Sequence, residues 1–493
     1  MSPLPLPSGS AAPRKALIVL LAGLALLRLA AAAFVPLTED EAYYRLWAQH
    51  LSLGYYDHPP MIAWWIRAGM TVAGDNALGV RLLPALANLL STAIVFDLAR
   101  RLADARTGLV AALLYNCTLT IGAAAALAVP DVPAGLFWVA ALWALVRAGQ
   151  DGRARWWLLA GAMAGLATLS KYSAIFLAPG VVLWLAVTPE GRRQLLKPWP
   201  WLAAVIAVAI FGLNIEWNAA HHWQTFDKQF GRAAAGRLAP RYLLEFLTVQ
   251  FVLLNPAVAI LAWIGAAKAW RGRNQPGGDL PWLMLATIVP FFAYLLLHSL
   301  HDRVQAHWPV PLYAAAAVLA ALAVKDASGW RAGLARLAPI GLAVSVLALV
   351  HAALPATDFG PGDPALQLRG WPGFAGAVER VRGAVGARWI GTVSYGVSAQ
   401  LQATDHASGP VLQINERERY VELSPSQAPD LNQPGLIVDL TRRLDLDRLK
   451  ACFAQVEPLG VVERGPFHAK DGRYGLARVA QPKRDILGQG CPP

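Results

Sequence analysis

The sequence predicts a mainly α-helical bundle that crosses a membrane about eleven times and ends in a small α/β domain on the outer side. Three observations point there. Of 493 residues, 56% are apolar and 15% are charged, whereas a soluble domain carries about a quarter charged residues. Stretches of roughly twenty apolar residues, the length that crosses a hydrocarbon layer, recur as far as Leu354, for example at 16–34, 108–128, 199–213 and 338–354. Basic residues fall in every second connection between these stretches, as the positive-inside rule requires.

The basic clusters set the orientation. Arg14 and Lys15 precede the first span; Arg100, Arg101 and Arg106 follow the second; Arg147, Arg153 and Arg155 follow the fourth. Arg192, Arg193 and Lys197 follow the sixth, Lys268, Arg271 and Arg273 the eighth, and Lys325, Arg331 and Arg336 the tenth. These connections are expected on the cytoplasmic side. The others hold Glu39, Asp40, Glu41, Asp57, Asp75, Asp131, Glu216, Asp227 and Asp302, so the outer side is acidic and an odd span count leaves the C-terminal domain outside. The net charge of +12 does not indicate nucleic acid, because residues 355–493 hold 16 Lys+Arg against 15 Asp+Glu and the excess lies in short clusters between spans.

In chain order, residues 1–15 are Pro- and Ser-rich and expected to be disordered, and the first span is expected over 16–35. A cleaved signal peptide is the alternative for this segment, but its apolar stretch is long and an acidic cluster follows at once. An outer loop over 36–76 holds an amphipathic helix at 39–51, with Tyr43, Leu46, Trp47 and His50 at helical spacing. Pro59-Pro60 separates it from a second short helix at 61–71. Both are expected to lie along the membrane surface. Further spans are expected at 77–99, 107–127, 133–148, 156–171, 174–187 and 199–214, and after a second outer loop (215–240) at 241–266, 281–298, 308–324 and 337–354. Thus 16–354 form the membrane domain. A Pro- and Gly-dense linker at 355–373 marks a boundary. Over 374–493 the pattern mixes helices at 375–385 and 446–452 with strands at 389–394, 411–414 and 436–439. No internal repeat and no Gly-rich nucleotide loop is apparent.

Many of the 19 Trp stand near span ends (Trp156, Trp157, Trp199, Trp282, Trp308), where anchoring at the interface is expected. Cys117 reads as packing within a span. Cys452 and Cys491 share the outer domain and are candidates for a disulfide.

Polar residues with chemical potential cluster on the outer side. Thr38-Glu39-Asp40-Glu41-Ala42-Tyr43-Tyr44 sets three carboxylates directly after a span. Clustered carboxylates raise the proton affinity of at least one member, and such a group can take a proton from a hydroxyl; a solvated acidic loop is the alternative. Gly54-Tyr55-Tyr56-Asp57-His58-Pro59-Pro60 places two Tyr, an Asp and a His on a rigid bend, where His58 can bind a phosphate or simply form part of an interfacial turn. Asp131 stands between Pro130 and Pro133, at membrane depth, and reads either as a cavity-facing carboxylate or as the N-cap of the fourth span, or as both. Lys171 and Arg81 are cations at outer span ends, able to neutralise a phosphate or to snorkel. His298, His301 and His307 match no strong metal motif, and Arg303 among them reads as another phosphate partner.

In these loops the chain resembles the multi-span, GT-C-type glycosyltransferases that use lipid-linked sugars, above all the protein O-mannosyltransferases and the bacterial aminoarabinose transferase of lipid A. The resemblance rests on the acidic pair after the first span, the aromatic diproline loop and the Asp opening the fourth span. It covers about residues 16–350 in layout and is densest over 37–135; Leu169-Ser-Lys171-Tyr172 and 305–313 also match. It implies a polyprenyl-phosphate sugar donor and inverting transfer to a glycolipid, glycan or protein acceptor, on the outer face of a bacterial inner membrane, with the N-terminus cytoplasmic and the C-terminal domain periplasmic. Asp40 or Glu41 would act as base or orienter, with Asp131 supporting the same cavity. His58, Lys171, Arg81 and Arg303 would hold the donor phosphate, and Tyr43, Tyr55, Tyr56 and Asp57 would line the pocket. The aminoarabinose enzymes have Glu-Lys where this chain has Asp57-His58, so the phosphate role of that Lys is shared out here. No cofactor is required on this reading, and a divalent metal is left open. A transporter or lipid-linked-sugar flippase is the alternative from another class, though such proteins show paired repeats and midplane sites.

Overall fold

The computed structural model describes residues 11–124, 127–234, 238–354, 359–360, 362–404, 409–422, 429–465 and 472–492. Of the first 15 residues, expected to be disordered, 1–10 lie outside the described residues and 11–15 are helical. Along the chain the helices are α1 (Ala11–Phe34), α2 (Glu39–Gln49), α3 (Met61–Ala73), α4 (Ala77–Leu102), α5 (Ala105–Asn116), α6 (Leu119–Ala124), α7 (Asp131–Asp151), α8 (Ala154–Thr168), α9 (Leu177–Val187), α10 (Pro189–Leu195) and α11 (Pro198–Ala220). They continue with α12 (Gln224–Ala234), α13 (Arg241–Leu253), α14 (Pro256–Gly272), α15 (Asp279–His298), α16 (Tyr313–Val324), α17 (Trp330–Leu337), α18 (Pro339–Ala353), α19 (Trp371–Ala384), α20 (Tyr395–Gln402) and α21 (Leu446–Cys452). Two compact units result: residues 1–33, 58–65 and 81–349 form the first, and 34–57, 66–80 and 350–493 the second.

The first unit is helical and apolar. Among the described residues, six helices are long and apolar enough to cross a membrane, or up to eight if each of two bent pairs counts as one span. The protein is therefore a membrane protein with a mainly helical fold. Three of the stretches expected as spans are absent from that count: 107–127 falls on α5 and α6, 156–171 on the 15-residue α8 and 308–324 on the 12-residue α16. The stretch 241–266 is not one straight helix, because α13 and α14 meet at 100°. Pro256 lacks the amide that would continue α13, and it pushes the preceding residue out of the helical region. Asn255 adopts φ 70° there. Its side chain accepts from Ala257 N and donates to the carbonyls of Cys117 (3.0 Å) and Ala338 (2.9 Å), tying three helical segments at the bend.

Small residues let the helices approach closely, as expected where lipid offers no hydrophobic drive to associate. A Cβ at Gly265 of α14 would lie 2.0 Å from the Leu319 carbonyl of α16, and one at Gly161 of α8 would lie 2.2 Å from that of Ala203 in α11. Trp157 and Trp282 are buried in the core of this unit. That corrects the expectation of interfacial anchoring for these two: each ring fills a gap between helices instead of facing headgroups.

The second unit contains a five-stranded mixed sheet, β1 (Trp389–Thr392), β2 (Val411–Gln413), β3 (Gly435–Leu440), β4 (Phe453–Glu463) and β5 (Arg473–Pro482), in the order β2-β1-β3-β5-β4. β1 pairs in parallel with β2 and β3, and β5 runs antiparallel to both β3 and β4. Sequence pattern locates β1, β2, β3, α19 and α21 but misses β4 and β5. β4 is an edge strand carrying Pro458 and a register shift between Pro458 and Gly460, which blur the two-residue alternation. One face of the sheet packs on Trp371, Phe374 and Val378 of α19. The other buries Trp389, Ile437 and Phe453 beside Cys452 and Cys491, which form a disulfide with a sequence separation of 39. Cys117 is a buried free thiol.

A cross-link over that separation restricts the unfolded chain and contributes about 3–4 kcal/mol. Cys452→Ser and Cys491→Ser should each lower the unfolding midpoint of the full-length protein in detergent. Their combination should be no worse than either alone, and reductant should shift the wild type but neither variant.

Candidate active site

In the second unit the acidic segment is ordered by its own sequence. Thr38 caps α2 by accepting from Glu41 N, and the Glu41 carboxylate returns to Thr38 N at 3.0 Å and to its hydroxyl at 3.1 Å. This is a capping box. It leaves Glu41 fully buried, with its carboxylate engaged by the helix start. Asp40 is exposed, and its Oδ1 accepts from the hydroxyl of Tyr395 at 2.8 Å. Burial raises the Glu39 carboxyl above the usual range, Asp40 and Asp439 add to the rise, and Arg464 and Arg443 oppose it.

The run up to Asp57 also belongs to this unit. Asp57 is gripped by Arg419, whose Nη1 lies 2.7 and 2.6 Å from the two carboxylate oxygens. Burial disfavours the Arg419 cation, but the Asp57 and Glu416 carboxylates outweigh that and hold its pKa above the ordinary value. The Tyr43 hydroxyl lies 3.2 Å from Asp57 Oδ2 and 3.1 Å from the Arg419 carbonyl. The Arg419 guanidinium stands 5.4 Å from the Tyr56 ring centre and 4.8 Å from that of Tyr395, within cation–π reach. Tyr55 is different: it is buried, stacks on Trp47 at 4.3 Å, and its hydroxyl bonds the backbone of Trp47, His50 and Ser52. Its hydroxyl thus braces the turn.

The second cluster belongs to the first unit. Asp131 is the first residue of α7, whose N-cap is Pro130 with no side-chain cap bond. The capping alternative is therefore corrected: the carboxylate points away from the helix start and into a buried ion pair with Lys171 Nζ at 2.6 Å. His307 Nε2 approaches the other oxygen at 3.7 Å, and His58 is near enough to interact electrostatically with Asp131. Asp131 and His307 line a cavity of ≈ 30 Å³ together with Asn88, Ser91, Tyr115 and Thr120, room for about one water. Lys171 is delivered by extended backbone at the start of a 3₁₀ turn, Tyr172–Phe176. Arg81 is fully buried, with Nη1 3.5 Å from the Ala32 carbonyl of α1. Arg303 is exposed and paired with Glu245 at 2.7 Å.

Of the candidates named from sequence, Asp131, Lys171 and His58 thus come together around one carboxylate, and Asp40, Tyr43, Tyr56 and Asp57 around Arg419 and Tyr395. Sequence reasoning missed Tyr395 and Arg419. Each reaches its carboxylate across more than 350 residues of chain, and no local pattern marks either. Among the described residues, no group of three or more His, Cys, Asp or Glu is placed to hold a metal ion.

Residues 57–217 match the family described as dolichyl-phosphate-mannose-protein mannosyltransferase. The chain is 28% identical over 295 residues to the lipid A galacturonosyltransferase RgtD of Rhizobium johnstonii, covering 57% of this chain and 59% of that protein. It is 30% identical over 288 residues to the undecaprenyl phosphate-alpha-4-amino-4-deoxy-L-arabinose arabinosyl transferase of Pseudomonas paraeruginosa, covering 52% of each. The match therefore spans little more than half the length of these relatives. In fold the chain is similar to ArnT from Cupriavidus metallidurans in the apo state, with a TM-score of 0.65 and 16% identity over 95% of this chain and 98% of that one. The same protein bound to undecaprenyl phosphate gives 0.63, with 17% identity over 94% and 97%. The chain thus resembles the GT-C-type lipid-linked-sugar glycosyltransferases in sequence, and it has the fold of one of them.

Removing one partner of a buried ion pair leaves the other charge uncompensated, at a cost of about 3–5 kcal/mol. Lys171→Met and Asp131→Asn should each destabilise the detergent-solubilised protein by roughly that much. The double variant should recover most of the lost thermal stability, because no buried charge is then left alone.

Proposed function

We propose that the protein is a membrane glycosyltransferase that moves a sugar from a polyprenyl-phosphate donor to an acceptor on the outer face of the bacterial inner membrane, with inversion. We read it as crossing that membrane about eleven times, N-terminus inside and sheet-bearing domain in the periplasm. The acceptor is a cell-envelope glycan, with lipid A the leading case, since the two relatives above carry lipid A or undecaprenyl-phosphate aminoarabinose in their names.

One observation carries the reading. Asp131, Lys171 and His58 stand inside the stretch that matches the mannosyltransferase family, and His307 approaches the same carboxylate from outside it. An ion pair costs desolvation energy wherever it is buried, and at membrane depth ionisable groups mark function by default. Lys171 has three N–H donors and gives one to Asp131. The others, with the imidazoles of His58 and His307, suit a phosphate. A donor presented from within the bilayer on a prenyl tail needs no nucleotide-binding loop.

The chemistry follows from charge. The acceptor hydroxyl attacks the anomeric carbon as the bond to the prenyl phosphate breaks. Negative charge grows on that phosphate and is stabilised by preorganised cations: Lys171 and His58 first, with Arg81 and Arg303 as further candidates. Asp40 takes the hydroxyl proton. It is preferred over Glu41, whose carboxylate closes the capping box. Tyr43, Tyr56 and Asp57 belong to the surroundings of the base. This balance calls on no metal and no cofactor.

Two outcomes are expected. Asp40→Asn should lower sugar transfer by about 10²–10⁴-fold, the usual contribution of a general base, read by mass spectrometry of lipids from cells carrying each form; transfer at the wild-type rate would sink the enzyme reading, and solute counterflow through vesicles would favour transport. A chelator should leave transfer by purified membranes unchanged, whereas a loss restored by added divalent cation would show that the charge balance above is incomplete.

A further inference from the structure

We propose that Tyr395, carried by the C-terminal sheet domain, is a positioning residue for Asp40, which makes this domain part of the catalytic apparatus instead of an accessory to it. The inference rests on the reading of Asp40 as the base.

The geometry points to this role through a continuous set of contacts in the second unit. Parallel strands β1 and β3 end side by side, and in open α/β sheets the crevice beyond such strand ends is where ligands are held. Here the chain's own acidic helix α2 occupies that place. Asp439, buried near the end of β3, accepts from Val393 N (2.8 Å) and Ser394 N (2.7 Å), the two residues that join β1 to α20. That fixes the start of α20, whose first residue is Tyr395. Its hydroxyl donates to Asp40 at 2.8 Å, while its ring packs 5.0 Å from Tyr43 and 4.8 Å from the Arg419 guanidinium. The next residue lies against Glu39: a Cβ at Gly396 would be 2.3 Å from Glu39 Oε2, so a side chain there must push that carboxylate aside. One turn on, Gln400 donates to the Leu37 carbonyl at 2.9 Å. So α20 touches three successive points along the acidic segment.

The chemical consequence follows from exposure. Asp40 is open to solvent, and an exposed Asp side chain has several staggered rotamers available to it. A phenol held by packing selects one of them. It also donates to the charged form, which favours ionisation. Both effects serve a group that must accept a proton from one direction. Among the described residues, the titratable or charged groups around Asp40 include Glu39 and Tyr43 on α2, Asp57, and Tyr395, Arg419, Asp439, Arg443 and Arg464 of the C-terminal domain.

The test uses full-length protein in membranes, a polyprenyl-phosphate-sugar extract of the host as donor and lipid A as acceptor, with the mass shift of lipid A as readout. Tyr395→Phe keeps the ring and removes the hydroxyl. It should lower kcat by about three- to tenfold, the worth of one hydrogen bond, with little change in KM. The acidic limb of its rate profile should move to higher pH, and raising the pH should recover part of the loss, which a merely destabilised protein would not do. Gly396→Leu, which displaces Glu39, should act in the same direction. Active wild type with both variants matching it in kcat and in pH profile would overturn the inference while leaving the proposed function standing. Wild type that transfers no sugar would overturn both.

Discussion

A hydrocarbon layer offers backbone and side-chain polar groups no water to bond, and every buried polar contact in the first unit answers to that constraint. The backbone is helical almost throughout. Where it breaks, at Asn255-Pro256, the Asn255 side chain bonds the carbonyls of Cys117 and Ala338 and the amide of Ala257 in the new helix. Arg28, deep in α1, donates to Asn116 at 2.6 Å, and Asn116 donates to Thr92 at 3.1 Å. Tyr172 donates to Asn214 in the same manner. These polar residues are shared between helical segments, so the clusters also fix how helices face one another.

The Asp131–Lys171 pair is the extreme case. Neither residue can stay buried and charged alone, so the start of α7 and the turn after α8 are held to one geometry. His307 and His58 add their imidazoles to the same carboxylate. Lys171 is thereby held in place before any ligand arrives, which is what the proposed stabilisation of a leaving phosphate requires.

The sheet domain follows another logic. Its hydrophobic faces and its disulfide hold the sheet and its helices together, and they present Tyr395 and Arg419 to Asp40 of the acidic helix and to Asp57. Segments at opposite ends of the chain thus form one compact unit. The segment from Thr38 to Asp57 is rich in carboxylates. Alone it would be mobile and self-repelling; paired with a Tyr, an Arg and a helix start, it holds its side chains in fixed directions.

The sequence alone determined the membrane-crossing class, the acidic helix from Glu39, the break at Pro59-Pro60 and the strands β1, β2 and β3. Each of these is written in local composition or in a period of two or 3.6 residues. It also named Asp40, Asp57, His58, Asp131 and Lys171, because charged residues in apolar surroundings stand out singly. Tertiary structure decided which of them meet. It paired Lys171 with Asp131, put Glu41 into a helix cap, turned Trp157 and Trp282 inward, bent the chain at Asn255, and brought in Tyr395 and Arg419 from hundreds of residues away. Those outcomes depend on distances through space between segments remote in the chain, and no periodicity along a single strand of sequence records them.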